Sequence, residues 1–317
     1  MLNNNFKKGL VSICVPTYNR SNLIGELLDS ILAQTYTNFE VIITDNSDNL
    51  KTKELIESKY QDERIKYFKN EKNLGMDGNT LKALSFVSGE YFTFTPDDDV
   101  WIDKYKLEKQ VKILNESNLN CCFSNALHIF QNGLKHDNQF SSKYSKYSNE
   151  CIQIPSTDLL LTIKPEHFLC ILTALIRVSY LDLFIKSWEF GSEEMFMWYI
   201  GGKGEKICFC YDQTVAIRDG EHNWQINDEK GNLINYKKNT ERRSKQVFDK
   251  YQYLINNHKN SLILFNHLTE RKIATILIKL IGFSSIKYIN KFNNLKLFDK
   301  LYLIVYLLIS LIYRNKK

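Results

Sequence analysis

Apolar and polar positions follow two rhythms along the first hundred residues. Leu10–Val15 (LVSICV) is a short apolar run ending at Pro16, and reads as a buried strand. Ser21 stands where a cap belongs, and Leu23, Ile24, Leu27, Leu28, Ile31 and Leu32 then recur at helical spacing. Phe39–Thr44 (FEVIIT) predicts a second strand, stopped by Asp45-Asn46-Ser47-Asp48. A helix over Thr52–Lys59 and a strand over Arg64–Phe68 come next. Asn73-Leu74-Gly75 makes a turn before a helix over Asn79–Val87, whose Leu81, Leu84 and Val87 share a face; Gly89 ends it. Tyr91–Thr95 is a fourth strand, broken by Pro96 and the triple acid Asp97-Asp98-Asp99.

Strands alternating with helices imply βαβ units, hence an α/β fold around a mostly parallel sheet. In such open sheets ligands sit beyond the carboxyl ends of the strands. Three polar clusters fall at those ends: Thr17-Tyr18-Asn19, Asp45-Asn46 and Asp97-Asp98-Asp99. Further on, the pattern predicts a helix from Asp103 to about Glu116 and strand-like material over Cys121–Phe130. A polar loop then covers Asn138–Glu150, and an apolar stretch Phe168–Val178. Residues 1–231 read as one α/β domain and 232–317 as a helical C-terminal region.

Charge sharpens that division. The chain of 317 residues carries +6 overall, but Glu241–Lys317 holds 15 Lys and Arg against 4 Asp and Glu, a local +11 on a body of −5. The tail's interleaved Leu, Ile, Phe and Tyr suit an anionic membrane surface better than nucleic acid. Its apolar runs, Ile273–Phe283 and Leu301–Ile312, are too short to span a bilayer, so they predict a peripheral contact or a packed helical subdomain. Met1–Gly9 is polar and basic with nothing resembling a secretion leader, which predicts a cytoplasmic protein, peripheral on the inner membrane if the tail binds lipid. Seven cysteines without a CxxC pair predict buried, reduced thiols rather than a disulfide framework or a zinc site.

Three adjacent carboxylates repel one another unless a cation or solvent relieves them. One or two of them, completed by substrate phosphates, make the oxygen set that Mg²⁺ or Mn²⁺ prefers. An isolated Asp-Asp-Asp is more often a solvated turn; its place at a sheet's carboxyl edge favours the metal. VSICVPTYNR, FEVIITDNSDN, NEKNLGMDGN and GEYFTFTPDDD occur in the order and spacing of family 2 glycosyltransferases of the GT-A fold. The chain resembles that family closely over about Val11–Lys109 and more loosely over Phe190–Asn223. Abequosyltransferase-like and other surface-polysaccharide branches look nearest.

The resemblance implies roles for individual residues. Pro16, Thr17, Tyr18 and Asn19 would border the nucleoside. Asp45 and Asn46 match the positions where the base is read, with Asn46 in place of the usual second Asp. An amide both donates and accepts, so uracil, cytosine or thymine would suit it. Asn73, Gly75 and Asn79 would lie near the ribose and diphosphate. Asp97 and Asp99 match the DxD pair, Asp99 on the Mn²⁺ or Mg²⁺ and Asp97 nearer the ribose or a metal-bound water, with Asp98 between them. Glu194 matches the general base that opens a helix, with Glu193 as its alternative; both would also suit a helix N-terminus on charge alone. Arg218 and His222 would reach the diphosphate or the metal. Trp188, Trp198 and Trp224 flank this region.

These matches imply inverting transfer of a sugar from a nucleoside-diphosphate donor, a UDP-sugar favoured, to a hydroxyl of a glycan or lipid-linked oligosaccharide. Two rivals belong to other classes. A nucleotidyltransferase would need a Gly-rich basic loop after the first strand, where this chain has Pro16-Thr17-Tyr18-Asn19. A non-catalytic glycan- or nucleotide-binding module would not need Asp97, Asp99 and Glu194 together.

Overall fold

A computed structural model describes residues 6–130, 135–137, 151–154, 170–189, 196, 200 and 205–219. The helical region expected over 232–317 lies outside them. Within them, strands β1 (Lys7–Thr17), β2 (Phe39–Asp45), β3 (Ile65–Lys69) and β4 (Gly89–Phe94) alternate with helices α1 (Ile24–Leu32), α2 (Lys51–Lys59) and α3 (Gly75–Leu84). The chain continues through β5 (Val100–Trp101), α4 (Lys106–Ser117), β6 (Cys121–Phe130), β7 (Lys135–Asp137) and β8 (Ile152–Ile154). It ends with β9 (Leu175–Arg177), α5 (Leu181–Glu189) and β10 (Ile207–Asp219).

One sheet runs β3-β2-β1-β4-β9-β6-β10-β5, with β7 on β6 and β8 on β10. The predicted parallel sheet is its N-terminal half: β2 pairs with β1 and β3, and β1 with β4, all parallel. The second half is mixed. β9 is antiparallel to β4 and β6, β10 runs parallel to β6, and β5 and β8 pair antiparallel with β10. Register sets Thr17 opposite Asp45 and Asp45 opposite Lys69, so the first three strands end level, while β4 ends earlier, with Phe94 opposite Cys14.

The continuous apolar runs of β1 and β2 follow from burial on both faces. Val11, Ile13 and Val15 join Val41 and Ile43 beneath Ile24, Leu27, Leu28 and Ile31 of α1 and Leu107, Val111 and Leu114 of α4. Cys14, Ile42 and Phe92 turn the other way, toward Ala83 and Leu84 of α3 and Phe184 and Trp188 of α5. Trp188 is thus a core residue, tilted against Phe94 with ring centroids 5.2 Å apart.

Three local expectations need correction. Ser21 does not cap α1: Arg20 C=O accepts the Leu23 and Ile24 N–H groups instead. Helix α3 begins at Gly75, four residues earlier than the pattern predicts. The Asn73 side chain accepts the Gly75 N–H at 2.8 Å, and Gly75 takes φ +72°, a backbone that glycine adopts without strain. The all-thiol reading also fails for one pair. Ile152 opposes Phe209 across β8 and β10, which brings Cys151 and Cys210 to a Cα–Cα distance of 4.4 Å and joins them as a disulfide. Antiparallel neighbours outside a hydrogen-bonded pair approach that closely, and no sequence spacing announces it. Cys14, Cys121, Cys122 and Cys208 are buried free thiols, and Cys170 a half-buried one.

Lys106 at the start of α4 has no solvent exposure. Its ammonium donates to Gln110 Oε1 at 2.8 Å and to the Thr173 carbonyl at 3.2 Å, and lies 4.6 Å from the centre of the Trp101 ring. Burial lowers its pKa to about 7, against small opposing pulls from Cys122, Asp103 and Cys170. An unfolded lysine holds its proton to about pH 10.4, so the unfolded chain is the more protonated between these values. Lys106 therefore makes stability rise with pH across that window, by up to about 1.4 kcal/mol per unit, and leaves it flat below. In urea titrations, the stability of Lys106→Met minus that of the native chain should shrink steadily from pH 7 to pH 10. A difference independent of pH would show that Lys106 stays charged throughout.

Candidate active site

The three polar clusters meet beyond the carboxyl ends of β1, β2 and β4, and most of their side chains hold one another. Asn79 of α3 is buried; its Nδ2 donates to the Thr17 and Thr44 carbonyls at 3.1 and 3.0 Å, and its Oδ1 accepts from Asn70 at 2.8 Å. One amide thereby satisfies the strand-end carbonyls of β1 and β2. Asn46 donates to the Gly75 carbonyl at 3.0 Å and accepts from Asn70 Nδ2 at 2.8 Å and from Leu74 N–H at 3.2 Å. Its amide pins the 70–75 segment to the end of β2.

Asp45 is fully buried; its carboxylate accepts the Ser47 N–H at 2.6 Å and the Tyr67 hydroxyl at 2.6 Å. Burial, then the neighbouring Asp45, raises the Tyr67 pKa, so the phenol stays a donor. Asn19 adopts φ 54°, a left-handed backbone that asparagine tolerates. Its N–H donates to Ser47 Oγ at 2.8 Å, its Oδ1 accepts Asp48 N–H at 3.2 Å, and its Nδ2 reaches Asp48 at 3.1 Å. Tyr18 also donates to Asp48 at 2.8 Å, yet the residue is 45 % exposed. Pro16 is the last β1 residue but one, paired with Thr44.

The triple acid divides three ways. Asp97 is buried and accepts from Thr17 Oγ1 at 2.6 Å, from Tyr18 N–H at 3.4 Å and from Arg20 at 2.8 Å. Burial raises its pKa, with Thr17 and Arg20 pulling it back. Asp98, at 14 % side-chain exposure, is the most open of the three and takes the same Arg20 nitrogen at 2.9 Å. Asp99 is 2 % exposed; Oδ1 accepts the Arg218 N–H at 3.4 Å, and Oδ2 has no hydrogen-bond partner among the described residues. Burial first, then the charge of Asp98, pushes its pKa well above the carboxylate range.

A buried carboxylate oxygen without a donor is costly unless a cation or proton meets it. Asp99 with the neighbouring Asp98 fits a hard divalent ion that takes one or two carboxylates and fills its remaining positions with water and phosphate. No set of three or more His, Cys, Asp or Glu side chains suited to a metal occurs among the described residues. Arg218 extends from β10 to pair with Glu26 of α1. Glu193, Glu194 and His222 lie outside the described residues.

The sequence reading passed over two residues here. Arg20 ties Asp97 to Asp98; its only signal is its place as the last letter of VPTYNR, a cation directly after a polar cluster. Tyr67, which fixes Asp45, sits inside a strand and gives no signal.

Residues 12–182 match the family described as Glycosyl transferase family 2. Among similar proteins is the Escherichia coli UDP-Glc:alpha-D-GlcNAc-diphosphoundecaprenol beta-1,3-glucosyltransferase WfgD, 37 % identical over 118 residues, 37 % of this chain and 45 % of that one. The chain thus spans less than half the length of that relative. Among solved structures, S. aureus TarS 1–349 in complex with UDP-GlcNAc superposes with a TM-score of 0.56 at 17 % identity, over 92 % of this chain and 79 % of TarS. The mannosyltransferase PcManGT from Pyrobaculum calidifontis, in complex with GDP-Man and Mn2+, gives 0.53 at 16 % identity over 96 % and 82 %. These two share the GT-A architecture, an α/β fold centred on one sheet. With the family match covering more than half of its residues, the chain belongs to glycosyltransferase family 2.

Proposed function

We propose that the chain transfers a sugar from a nucleoside-diphosphate donor to a hydroxyl of a lipid-linked glycan during bacterial surface-polysaccharide assembly. The observation that carries the reading is the buried Oδ2 of Asp99 beside Asp98, without a hydrogen-bond partner among the described residues, beyond the carboxyl ends of β1, β2 and β4. The relative's UDP-glucose and diphosphoundecaprenol substrates and the UDP-GlcNAc bound to TarS favour a UDP-sugar and a lipid-linked acceptor. The nucleoside would lie against the exposed Tyr18.

Asp99 and Asp98 would hold Mn²⁺ or Mg²⁺, which supplies neutralisation of the charge gathering on the departing diphosphate. Glu194 takes the proton of the acceptor hydroxyl as that oxygen bonds to the anomeric carbon. The bond from the anomeric carbon to the diphosphate oxygen breaks in the same displacement, so configuration inverts and the nucleoside diphosphate leaves. The experiment is a panel of UDP-, GDP-, CDP- and dTDP-sugars with a polyprenyl-diphosphate-linked acceptor and Mn²⁺, read as released nucleoside diphosphate. One donor class should stand out, with release falling to background in excess chelator. Absence of release from every donor, together with no thermal shift by any nucleoside diphosphate, would sink the proposal.

A further inference from the structure

Arg20 occupies an unusual place for a cation in a cleft meant for a cation. A single guanidinium nitrogen lies 2.8 Å from Asp97 and 2.9 Å from Asp98, and the side chain keeps 27 % exposure. Burial works against its charge, but Asp97, Asp98 and Asp99 outweigh it and raise its pKa. Asp97 has further donors in Thr17 Oγ1 and the Tyr18 N–H and does not depend on Arg20 for its partners. Asp98 is different, because Arg20 is its ion-pair partner and it is the most open carboxylate of the three. Next to them Asp99 Oδ2 is buried with no hydrogen-bond partner among the described residues. Arg20 thus forms ion pairs with Asp97 and Asp98 but not with Asp99.

From this geometry we infer that Arg20 is a positioning residue that holds Asp98 in the donor-free enzyme and so couples metal uptake to donor binding. A divalent ion arriving alone competes with the guanidinium for Asp98 and meets its positive charge at close range, so it binds weakly. A nucleoside diphosphate brings negative oxygens that pair with guanidinium groups in a forked geometry. Arg20 then leaves Asp98 for the diphosphate, and Asp98 is released to the ion. Metal and nucleotide strengthen each other's binding by the same factor, as linkage requires. The inference rests on the proposed metal-dependent reading of the same site, and adds an order of binding and the residue that imposes it.

The test measures free Mn²⁺ by electron paramagnetic resonance during titration of the full chain, with and without saturating UDP. The native chain should bind Mn²⁺ at least about tenfold more tightly with UDP than without, about 1.4 kcal/mol of coupling. Arg20→Gln should bind Mn²⁺ alone about tenfold more tightly than the native chain, lose most of the coupling, and bind UDP more weakly. Arg20→Lys keeps the charge but not the fork, and should fall between the two. Circular dichroism checks that each variant folds; should Arg20→Gln fail to fold, Arg20→Lys alone must still show reduced coupling. If the variants leave Mn²⁺ affinity and coupling at native values, Arg20 is a fixed strut and the inference fails while the metal reading stands. If the native chain takes up no Mn²⁺ even with UDP, both fail.

Discussion

Asp99→Asn should cut sugar transfer by about a thousandfold or more while leaving the chain at least as resistant to heat. The two halves of that expectation come from the same geometry. Among the described residues nothing hydrogen-bonds to Asp99 Oδ2, and an amide oxygen can still accept the Arg218 N–H through the other position. The substitution also removes a buried ionisable group set beside Asp98, and burial is the main cause of the raised Asp99 pKa. Asp97→Asn is the contrast, since it weakens the Arg20 ion pair and the Thr17 contact that join β1 to the turn after β4. That variant should lower the thermal midpoint. Differential scanning fluorimetry beside a UDP-release assay separates the pair. Full turnover in Asp99→Asn would remove the metal from the reading.

The second large effect is expected at Glu194. Glu194→Gln keeps the shape of the side chain and takes away its ability to accept a proton. Turnover should fall by about a hundredfold to ten-thousandfold, the usual range for a general base, while the affinity for UDP stays at its native value. Deprotonation is needed only when the acceptor attacks, so the loss should appear in kcat rather than in donor binding. Glu193→Gln is the internal control. A larger loss there moves the base by one residue; native turnover in both variants would discard the match of GSEEMFMW to the family's base-bearing helix.

Much of the parallel half was legible because parallel strands buried on both faces need uninterrupted apolar runs. LVSICV and FEVIIT are such runs, and their Pro16 and Asp45 endings mark the carboxyl edge of the sheet. The mixed half was opaque for a physical reason. Val100–Trp101 is a two-residue strand with no period to detect, and β10 breaks register twice between Cys210 and Val215, which blurs its alternation. The motifs also located the candidate site better than they assigned its parts. Asn19, Asn46 and Asn79 look like ligand contacts in a sequence, yet their side-chain amides bond to backbone groups and to Asp48, Asn49 and Asn70. An amide that donates and accepts suits both tasks, so residue type alone does not choose between them. Arg20 went unread because a lone arginine after a turn is ordinary; only its distance to two carboxylates gives it meaning.

The contact between Asp99 and the backbone of Arg218 spans 119 positions of the sequence. The strand that supplies it, β10, is also the partner of β5, which follows directly on the triple acid. The family match ends at residue 182, before that strand begins. A chain cut at the edge of the match would keep all three aspartates but would leave Asp99 without its N–H donor and β5 without a neighbour. A piece able to present Asp99 with its N–H donor therefore has to reach at least Arg218. Two separately expressed pieces, one ending after β7 and one beginning before β8, would have to find each other through β6 and β10 before either could work.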